Sequence, residues 1–290
     1  GFRCVRSLAT TSSAKEKVYD KKSFNVKLLN EKGNSLNAKI LGIRKDDAWI
    51  LDAMAIDRLR MRNRINFDIW NSMSSTPYST DTENRNGTKG YFVELFINGE
   101  YHGLYCMSDK VNRKLLGIKK ADDTDKDNVK INGVMYKCES WGDAANLNGY
   151  NEESMDKEIW NNWSLDYPDD YPCADSYMPL KEFIDYCTSS SDKEFTKGID
   201  KQFYLQNFID YHVFLLSQGL HDNNLKNTFL SIVDKNESKC IMLTPWTLIV
   251  HLEETGTEHI ITILLQTKRF YQREFFPVYG TTTLLIIVTV

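Results

Sequence analysis

Residues 91–107 read YFVELFINGEYHGLYCM, and they decide the fold class of this chain. Two runs rich in aromatic and aliphatic residues flank the pair Asn98-Gly99. Asn-Gly between two strand patterns indicates a tight β-hairpin, because both residues tolerate positive φ. Hairpin-linked strands are antiparallel, so this stretch favours an antiparallel sheet over a doubly wound parallel sheet. The sequence therefore predicts an α+β protein.

The segments around this hairpin predict further strands and two helices. Residues 21–42, KKSFNVKLLNEKGNSLNAKILG, are typical of two strands joined by an Asn/Gly turn. An amphipathic helix is predicted over 52–73 from the spacing of the apolar residues Ala55, Leu59, Ile65, Ile69 and Met73. A second helix is predicted over 201–220, and its wide apolar stripe predicts that it is largely buried. His212 lies on that stripe and is expected to be a core histidine rather than a ligand.

Residues 112–200 are rich in Asp, Asn, Ser and Trp, and we interpret them as an insertion that decorates a single domain. Three tryptophans in this region are expected to be exposed: Trp141, Trp160 and Trp163. They leave open a carbohydrate-binding or hydrolytic surface protein. The sequence carries no nucleophile elbow, no paired catalytic carboxylates on adjacent strands and no His-rich metal motif, so it does not support a hydrolase.

Charge and cysteine content exclude other classes of protein. The chain has 290 residues, a net charge of -4 and a pI near 5.8. It lacks the excess of basic residues that nucleic-acid-binding proteins carry, so a nucleic-acid partner is not expected. Its six cysteines form no Cys-x-x-Cys pair, which argues against a zinc site. No apolar run approaches the roughly 20 residues that a membrane span needs. The chain begins at Gly1, so we expect any leader directing secretion or cell-surface display to lie upstream.

Residues 221–227, HDNNLKN, carry the strongest chemical signal. Protein kinases have a catalytic loop H-R-D-x-x-x-x-N, whose Asp accepts the substrate hydroxyl proton and whose Asn binds a metal ion. Asp222 and Asn227 have that interval, with His221 directly before the Asp and Lys226 beside the Asn. The alternative is a polar turn, because Asp and Asn also satisfy their own backbone in loops.

Several segments together resemble the spore coat protein H (CotH) kinase family, an atypical branch of the kinase-like proteins. They are KKSFNVKLL, WILDAMAIDRLRMRN, VELFINGEYHGLYCMSDKV, HDNNLKNTFLSI and LTPW, and they span about residues 21–246. The resemblance implies an N-terminal antiparallel sheet with one helix and a more helical C-terminal lobe, with ATP between them. It also implies a kinase domain over 1–246 that is incomplete at its N-terminal end.

The family resemblance implies an ATP- and Mg²⁺-dependent kinase acting on Ser or Thr of protein substrates. It makes Asp222 the catalytic base and Asn227 a magnesium ligand. It assigns Lys22 to the ATP phosphates, and Tyr105 and Trp246 to the walls of the adenine slot. Three more residues match the family and are assigned either to phosphate binding or to structure: Lys21, Arg62 and Asn63.

The chain departs from the family directly after Trp246. Family members continue Pro-Trp-Asp-x-Asp, whereas this chain has Thr247, so the metal-binding Asp is missing. One set of codons for residues 246–265, read with one extra G after the Trp codon, encodes WDFDSSFGGNWNGAYYNNLA, which restores the family pattern. We therefore hypothesise that residues 247–290 are a frameshifted, non-native tail. The alternative is a natural, non-catalytic pseudokinase or structural coat protein.

Overall fold

The first sheet contains the hairpin that decided the fold class. The computed structural model describes residues 19–76, 78 and 84–248, together with the backbone of the strand at 2–6. The sheet is fully antiparallel with strand order β1-β2-β3-β5-β4. Its strands are β1 (Phe2–Arg6), β2 (Phe24–Leu28), β3 (Ala48–Asp52), β4 (Gly90–Ile97) and β5 (Glu100–Asp109). Asn98 and Gly99 have φ of 53° and 85°, so the predicted hairpin is confirmed.

The prediction of two strands within 21–42 is half right. β2 forms, and Gly33 turns the chain with a φ of 80°. The second strand does not form, because this part makes only isolated bridges, Leu29 to Ser35 and Ala38 to Asp46.

The second sheet is also antiparallel, with strand order β10-β9-β6-β8-β7. Its strands are β6 (Val134–Cys138), β7 (Ile159–Trp160), β8 (Trp163–Tyr167), β9 (Thr228–Ile232) and β10 (Met242–Pro245). Three of these strands lie within 112–200, so this region is an integral part of the second sheet. The expectation that Trp160 and Trp163 are exposed is wrong, since both are buried in the core between this sheet and the helices.

Five helices complete the described part of the chain, and the α+β prediction is confirmed. They are α1 (Arg62–Met73), α2 (Arg113–Leu116), α3 (Ala174–Ser189), α4 (Asp192–Gln202) and α5 (Leu205–Gln218). In the residues that the structure describes, no helix has the length and apolar character needed to cross a bilayer.

Helix α1 begins ten residues later than predicted and buries a different face. Asp52 ends β3, and the helix starts at Arg62. The predicted apolar stripe, including Ile65 and Ile69, is exposed, whereas Phe67 and Trp70 are buried. The reason is tertiary: the Trp70 ring packs against aromatic residues of α5, 5.5 Å from the rings of Tyr211 and Phe214.

Asp57 holds the start of α1. Its carboxylate accepts hydrogen bonds from the backbone N–H groups of Leu59, Met61 and Arg62 at 2.7–3.0 Å, although it lies outside the usual N-cap position. It also lies 3.7 Å from Arg62 Nε.

We predict that Asp57→Ala lowers the free energy of unfolding by about 1–2 kcal/mol, the usual cost of losing a helix cap. Urea denaturation of the two proteins measures this. Ser72→Ala, which changes an exposed residue of the same helix whose hydroxyl donates to the nearby Ile69 O, is the control. Equal stability of Asp57→Ala and the unaltered chain would contradict the capping role.

The helix predicted over 201–220 is two helices, because α4 ends at Gln202 and α5 begins at Leu205. Helix α5 is tied to the second sheet by Asn207. Its side chain accepts from Leu243 N–H at 2.8 Å and donates to Leu243 O at 3.0 Å, which satisfies an edge strand of the sheet. The first turn of α5 therefore lies at a defined position relative to β10.

His212 is partly buried on α5, and burial lowers its pKa below the ordinary value. A histidine with a lowered pKa in the folded state binds fewer protons than in the unfolded state. We therefore predict that stability falls as the pH drops through about 6.5, the unfolded pKa of histidine. In urea titrations at pH 7.5 and 5.5, His212→Gln should lose less stability than the unaltered chain. Exposed His102→Gln is the control, and identical losses in all three proteins would contradict the prediction.

Candidate active site

The loop after α5 has a backbone that only a few residue types adopt easily. Gly219 ends the helix with φ of 63°, and residues His221–Asn223 form one turn of 3₁₀ helix. Leu225 and Asn227 then have φ of 68° and 57°. Positive φ is uncommon outside glycine, and Asn is among the residues that tolerate it best. The backbone of this loop therefore has a specific conformation where the chain enters β9.

This loop brings Asp222, Lys226 and Asn227 into direct contact. Asn227 Nδ2 donates to Asp222 Oδ2 at 2.9 Å and to the Asp222 carbonyl at 3.2 Å. Lys226 Nζ lies 3.2 Å from Asp222 Oδ1. The Asp222 side chain is 36% exposed, so it is open to a substrate while it is held by two neighbours. Because the Asn227 amide nitrogen is occupied, its amide oxygen is the atom suited to bind a cation.

The β9–β10 hairpin returns the chain to the same loop. Trp246 N–H donates to Asn227 O at 2.9 Å, and Asn223 Nδ2 donates to Thr247 O. The hydroxyl of Tyr211, on α5, donates a hydrogen bond to Asn223 O at 2.9 Å and so anchors the loop to that helix. Position 247, where the family has its metal-binding Asp, therefore lies directly beside the loop that carries Asp222.

Helix α1 fixes the next residue. Leu248 N–H donates to Asn63 Oδ1 at 2.9 Å, and Asn66 Nδ2 donates to Leu248 O at 2.8 Å. The Leu248 side chain is fully buried in the main core. Asn63 also donates to Asp52 Oδ2 at 3.4 Å, so it connects β3 to the chain after β10. Asn63 and Arg62 therefore have structural contacts, the latter with Asp57, and their assignment to phosphate binding stays a prediction.

The sequence did not predict that a group of polar and charged side chains lies near the Trp246 ring. Lys137 Nζ lies 3.8 Å from the centre of the Trp246 ring and 3.0 Å from Glu139 Oε1, which also accepts from Ser164 at 2.8 Å. On the neighbouring β8, burial raises the pKa of Asp166 against the opposing influence of Lys110 and Lys137. A lysine within the buried strand VMYKC is the signal that could have identified Lys137.

Of the remaining predicted ATP residues, Tyr105 lies on β5, and Lys21 and Lys22 directly precede β2. Lys21 Nζ is 4.2 Å from the Tyr105 ring, and Tyr105 donates its hydroxyl to Lys22 O at 3.1 Å. Burial lowers the pKa of Lys21, the charge of Arg60 lowers it further, and Asp52 opposes both. Lys21, Lys22 and Tyr105 line a groove of about 570 Å³ together with Tyr101 and His102.

Strand alternation separates this groove from position 247. Cys106 pairs with Asp52, which contacts α1, so Cys106 lies on the α1 face of the sheet. Adjacent residues in a strand point to opposite faces, so Tyr105 lies on the other face, in the cluster that includes Val26 and Trp49. Trp246 packs in a different cluster with Met135 and Phe229. The structure brings Asp222, Asn227 and Trp246 together, and it does not place Tyr105 with them, so the adenine slot stays a prediction.

The residues present fit magnesium only in part. Mg²⁺ in nucleotide sites takes one or two carboxylates, with phosphate and water oxygens completing its shell. Asp222 and Asn227 provide one carboxylate and one amide oxygen. Within the described ranges, no group of three His, Cys, Asp or Glu residues could hold a metal ion. The missing ligand is a second carboxylate, which an aspartate at position 247 would supply.

The described geometry agrees with the comparison to protein families. Residues 12–247 match the family described as CotH kinase protein. A search of curated proteins found no match. The matched range covers the second sheet, strands β2 to β5 of the first sheet, α1 and the loop that carries Asp222 and Asn227. It ends at Thr247, where the metal-binding Asp of the family pattern is missing. By this match, the chain belongs to the CotH kinase protein family.

Proposed function

We propose that this fold is built for ATP- and Mg²⁺-dependent transfer of phosphate to Ser or Thr of a protein, and that Thr247 impairs it. One observation carries the proposal: Asp222 and Asn227 are hydrogen-bonded at 2.9 Å on a loop between α5 and β9. The β9–β10 hairpin then returns the chain to that loop. This helix–loop–hairpin order is the one that a kinase catalytic loop needs.

Asp222 acts as the general base in this proposal. It accepts the proton of the substrate hydroxyl, whose oxygen attacks the terminal phosphorus of ATP. The bond from that phosphorus to the bridging oxygen breaks, and ADP leaves. Phosphoryl transfer depends on positioning and on charge stabilisation. Lys226, 3.2 Å from Asp222, is placed to neutralise the transferred phosphate.

Asn227 would hold magnesium through its amide oxygen, and the ion would neutralise the ATP phosphates. Trp246 is the proposed wall of the adenine slot because it lies against the catalytic loop. Lys22, just before β2, and Tyr105, on β5, remain proposed ATP contacts.

A pseudokinase is the second candidate, and Thr247 favours it. Without a carboxylate at this position the ligand set for magnesium is incomplete, and a catalytically silent protein could keep the fold for binding partners. The carbohydrate-binding alternative is weaker, since two of the three tryptophans that suggested it are buried.

Thermal unfolding with and without nucleotide tests the proposal. A ligand that binds only the native state stabilises it by RT ln(1 + [L]/Kd), which is roughly 1.4 kcal/mol at ten times Kd. We expect ATP with Mg²⁺ to raise Tm, and ATP with EDTA to raise it less. If neither condition changes Tm at millimolar ATP, while cellohexaose does, the kinase proposal fails and the carbohydrate-binding alternative replaces it.

A further inference from the structure

Trp141 is a large aromatic residue that the fold holds in an exposed position. It is 42% exposed, whereas Trp160 and Trp163, the other two tryptophans of the 112–200 region, are buried. The exposed ring offers a large, flat apolar surface that a ligand side chain can pack against. Its location relative to Asp222 indicates which ligand.

The loop that carries Trp141 is braced by the turn between β7 and β8. Asn162 Nδ2 donates to Trp141 O at 3.1 Å, and Glu139 N–H donates to Asn162 O at 2.9 Å. Asn161 and Asn162 both have positive φ, 46° and 69°, as a tight hairpin turn needs. A Cβ on Gly142 would lie 2.1 Å from Asn162 Nδ2, so a larger residue there would displace the side chain that donates to Trp141 O. The backbone under this ring is therefore held in place.

Two contacts connect Trp141 to the catalytic carboxylate. Lys226 Nζ lies 5.8 Å from the centre of the Trp141 ring, within the range of a cation–π contact. The same ammonium group lies 3.2 Å from Asp222 Oδ1. An extended peptide advances about 3.3 Å per residue, so the ring is within two or three residues of a hydroxyl held at Asp222.

We propose that Trp141 is a substrate-specificity residue that binds a large apolar or aromatic side chain, two or three residues from the acceptor Ser or Thr. The proposal rests on the proposed kinase function, because it takes Asp222 as the point where the acceptor hydroxyl lies. A peptide fits better than a glycan, since the ring is next to the acceptor position and the ammonium group of Lys226 is close to the ring. The 112–200 region then has two roles: it contributes strands to the second sheet, and it supplies the residue that recognises the substrate.

Peptide binding to the full chain tests the proposal without requiring catalysis. The probe is a fluorescein-labelled Ala/Gly peptide with a central Ser and a Phe two residues away on each side. The comparison peptide has Ala in place of both Phe residues. By fluorescence anisotropy, we expect the Phe peptide to bind at least about 10-fold more tightly, and Trp141→Ala to abolish that difference. Phe96→Ala, which truncates an exposed aromatic residue on the first-sheet hairpin, is the matched control and should retain it.

Three outcomes separate this inference from the proposed function. If Mg²⁺ and ATP raise Tm but Trp141→Ala leaves the peptide preference intact, the inference fails and the kinase proposal stands. If the preference depends on Trp141 while ATP never binds, the peptide site stands and the kinase proposal fails. If cellohexaose changes the fluorescence of the unaltered chain but not of Trp141→Ala, and neither peptide binds, Trp141 is a glycan contact and the inference is overturned.

Discussion

Thr247→Asp is expected to raise the rate of phosphate transfer from ATP by at least about 100-fold. Electrostatic groups aimed at the developing charge of a transition state contribute about 10²–10³ in rate each, and a missing metal ligand removes such a contribution. The backbone needs no rearrangement, because Asn223 already holds Thr247 O and Trp246 N–H already contacts Asn227. The substitution adds a carboxylate to the segment that packs on the loop of Asp222, where a bound Mg²⁺ would favour its charged form.

The measurement is transfer of labelled phosphate from ATP to the chain itself or to a generic Ser/Thr protein, with Mg²⁺ varied. Thr247→Asn is the matched control, since it has the same shape without the charge. A further prediction concerns stability: without metal, Thr247→Asp should be less stable than Thr247→Asn because of carboxylate repulsion, and Mg²⁺ with ATP should reverse the order. Activity no greater in Thr247→Asp than in Thr247→Asn would contradict the role given to position 247.

The residue after position 247 gives this prediction independent support. Leu248 occupies a fully buried apolar site, and both of its backbone hydrogen bonds go to α1. The hypothesised displaced reading frame has another apolar residue, Phe, at this position, with Asp before it. Residues 249–290, the rest of the hypothesised frameshifted tail, lie outside the described residues. Sequencing the source DNA across the Trp246 codon decides whether the aspartate is natural.

The second large effect is expected from Asp222→Asn, made in the chain that carries Thr247→Asp. We expect it to lower the rate of phosphate transfer by about 10²–10⁴-fold. The asparagine keeps the size of the side chain but cannot accept the substrate proton as a carboxylate does. Since Asp222 also holds Asn227 and Lys226, the fold and ATP binding must be checked separately by thermal unfolding with ATP.

Asp170→Asn, which changes an exposed aspartate in the turn after β8, is the control and should keep full activity. If Asp222→Asn loses transfer and retains the ATP-dependent rise in Tm, Asp222 acts in the chemical step. If it retains transfer, another group is the base, and the proposal for the loop 221–227 is wrong.

Local patterns in the sequence were enough to predict the fold class and the core of the candidate site. The Asn98-Gly99 hairpin is local, because its positive φ values depend on the two turn residues themselves. The interval between Asp222 and Asn227 is also local, and the two side chains meet because the loop between them is short. Lys226, which pairs with Asp222, is contained in the same seven residues.

The sequence could not predict the start and the buried face of α1. The apolar spacing from Ala55 onward fits a helix, but Asp57 accepts three backbone N–H groups and delays the helix until Arg62. The side that becomes buried is then decided by Trp70, which packs against α5 more than 130 residues away in the chain. Such contacts have no local signature in the sequence.

By itself, the sequence determined the α+β class, the family, the candidate loop 221–227 and the lack of an aspartate after Trp246, because each is written in short stretches of the chain. Only the tertiary structure decided which of the predicted residues meet. It put Tyr105 and Trp246 in separate clusters, placed Thr247 beside Asn223, and brought Trp141 to Lys226. The physical reason is that strand alternation, sheet order and helix packing decide which distant residues face each other, and none of these is visible in the spacing of single residues.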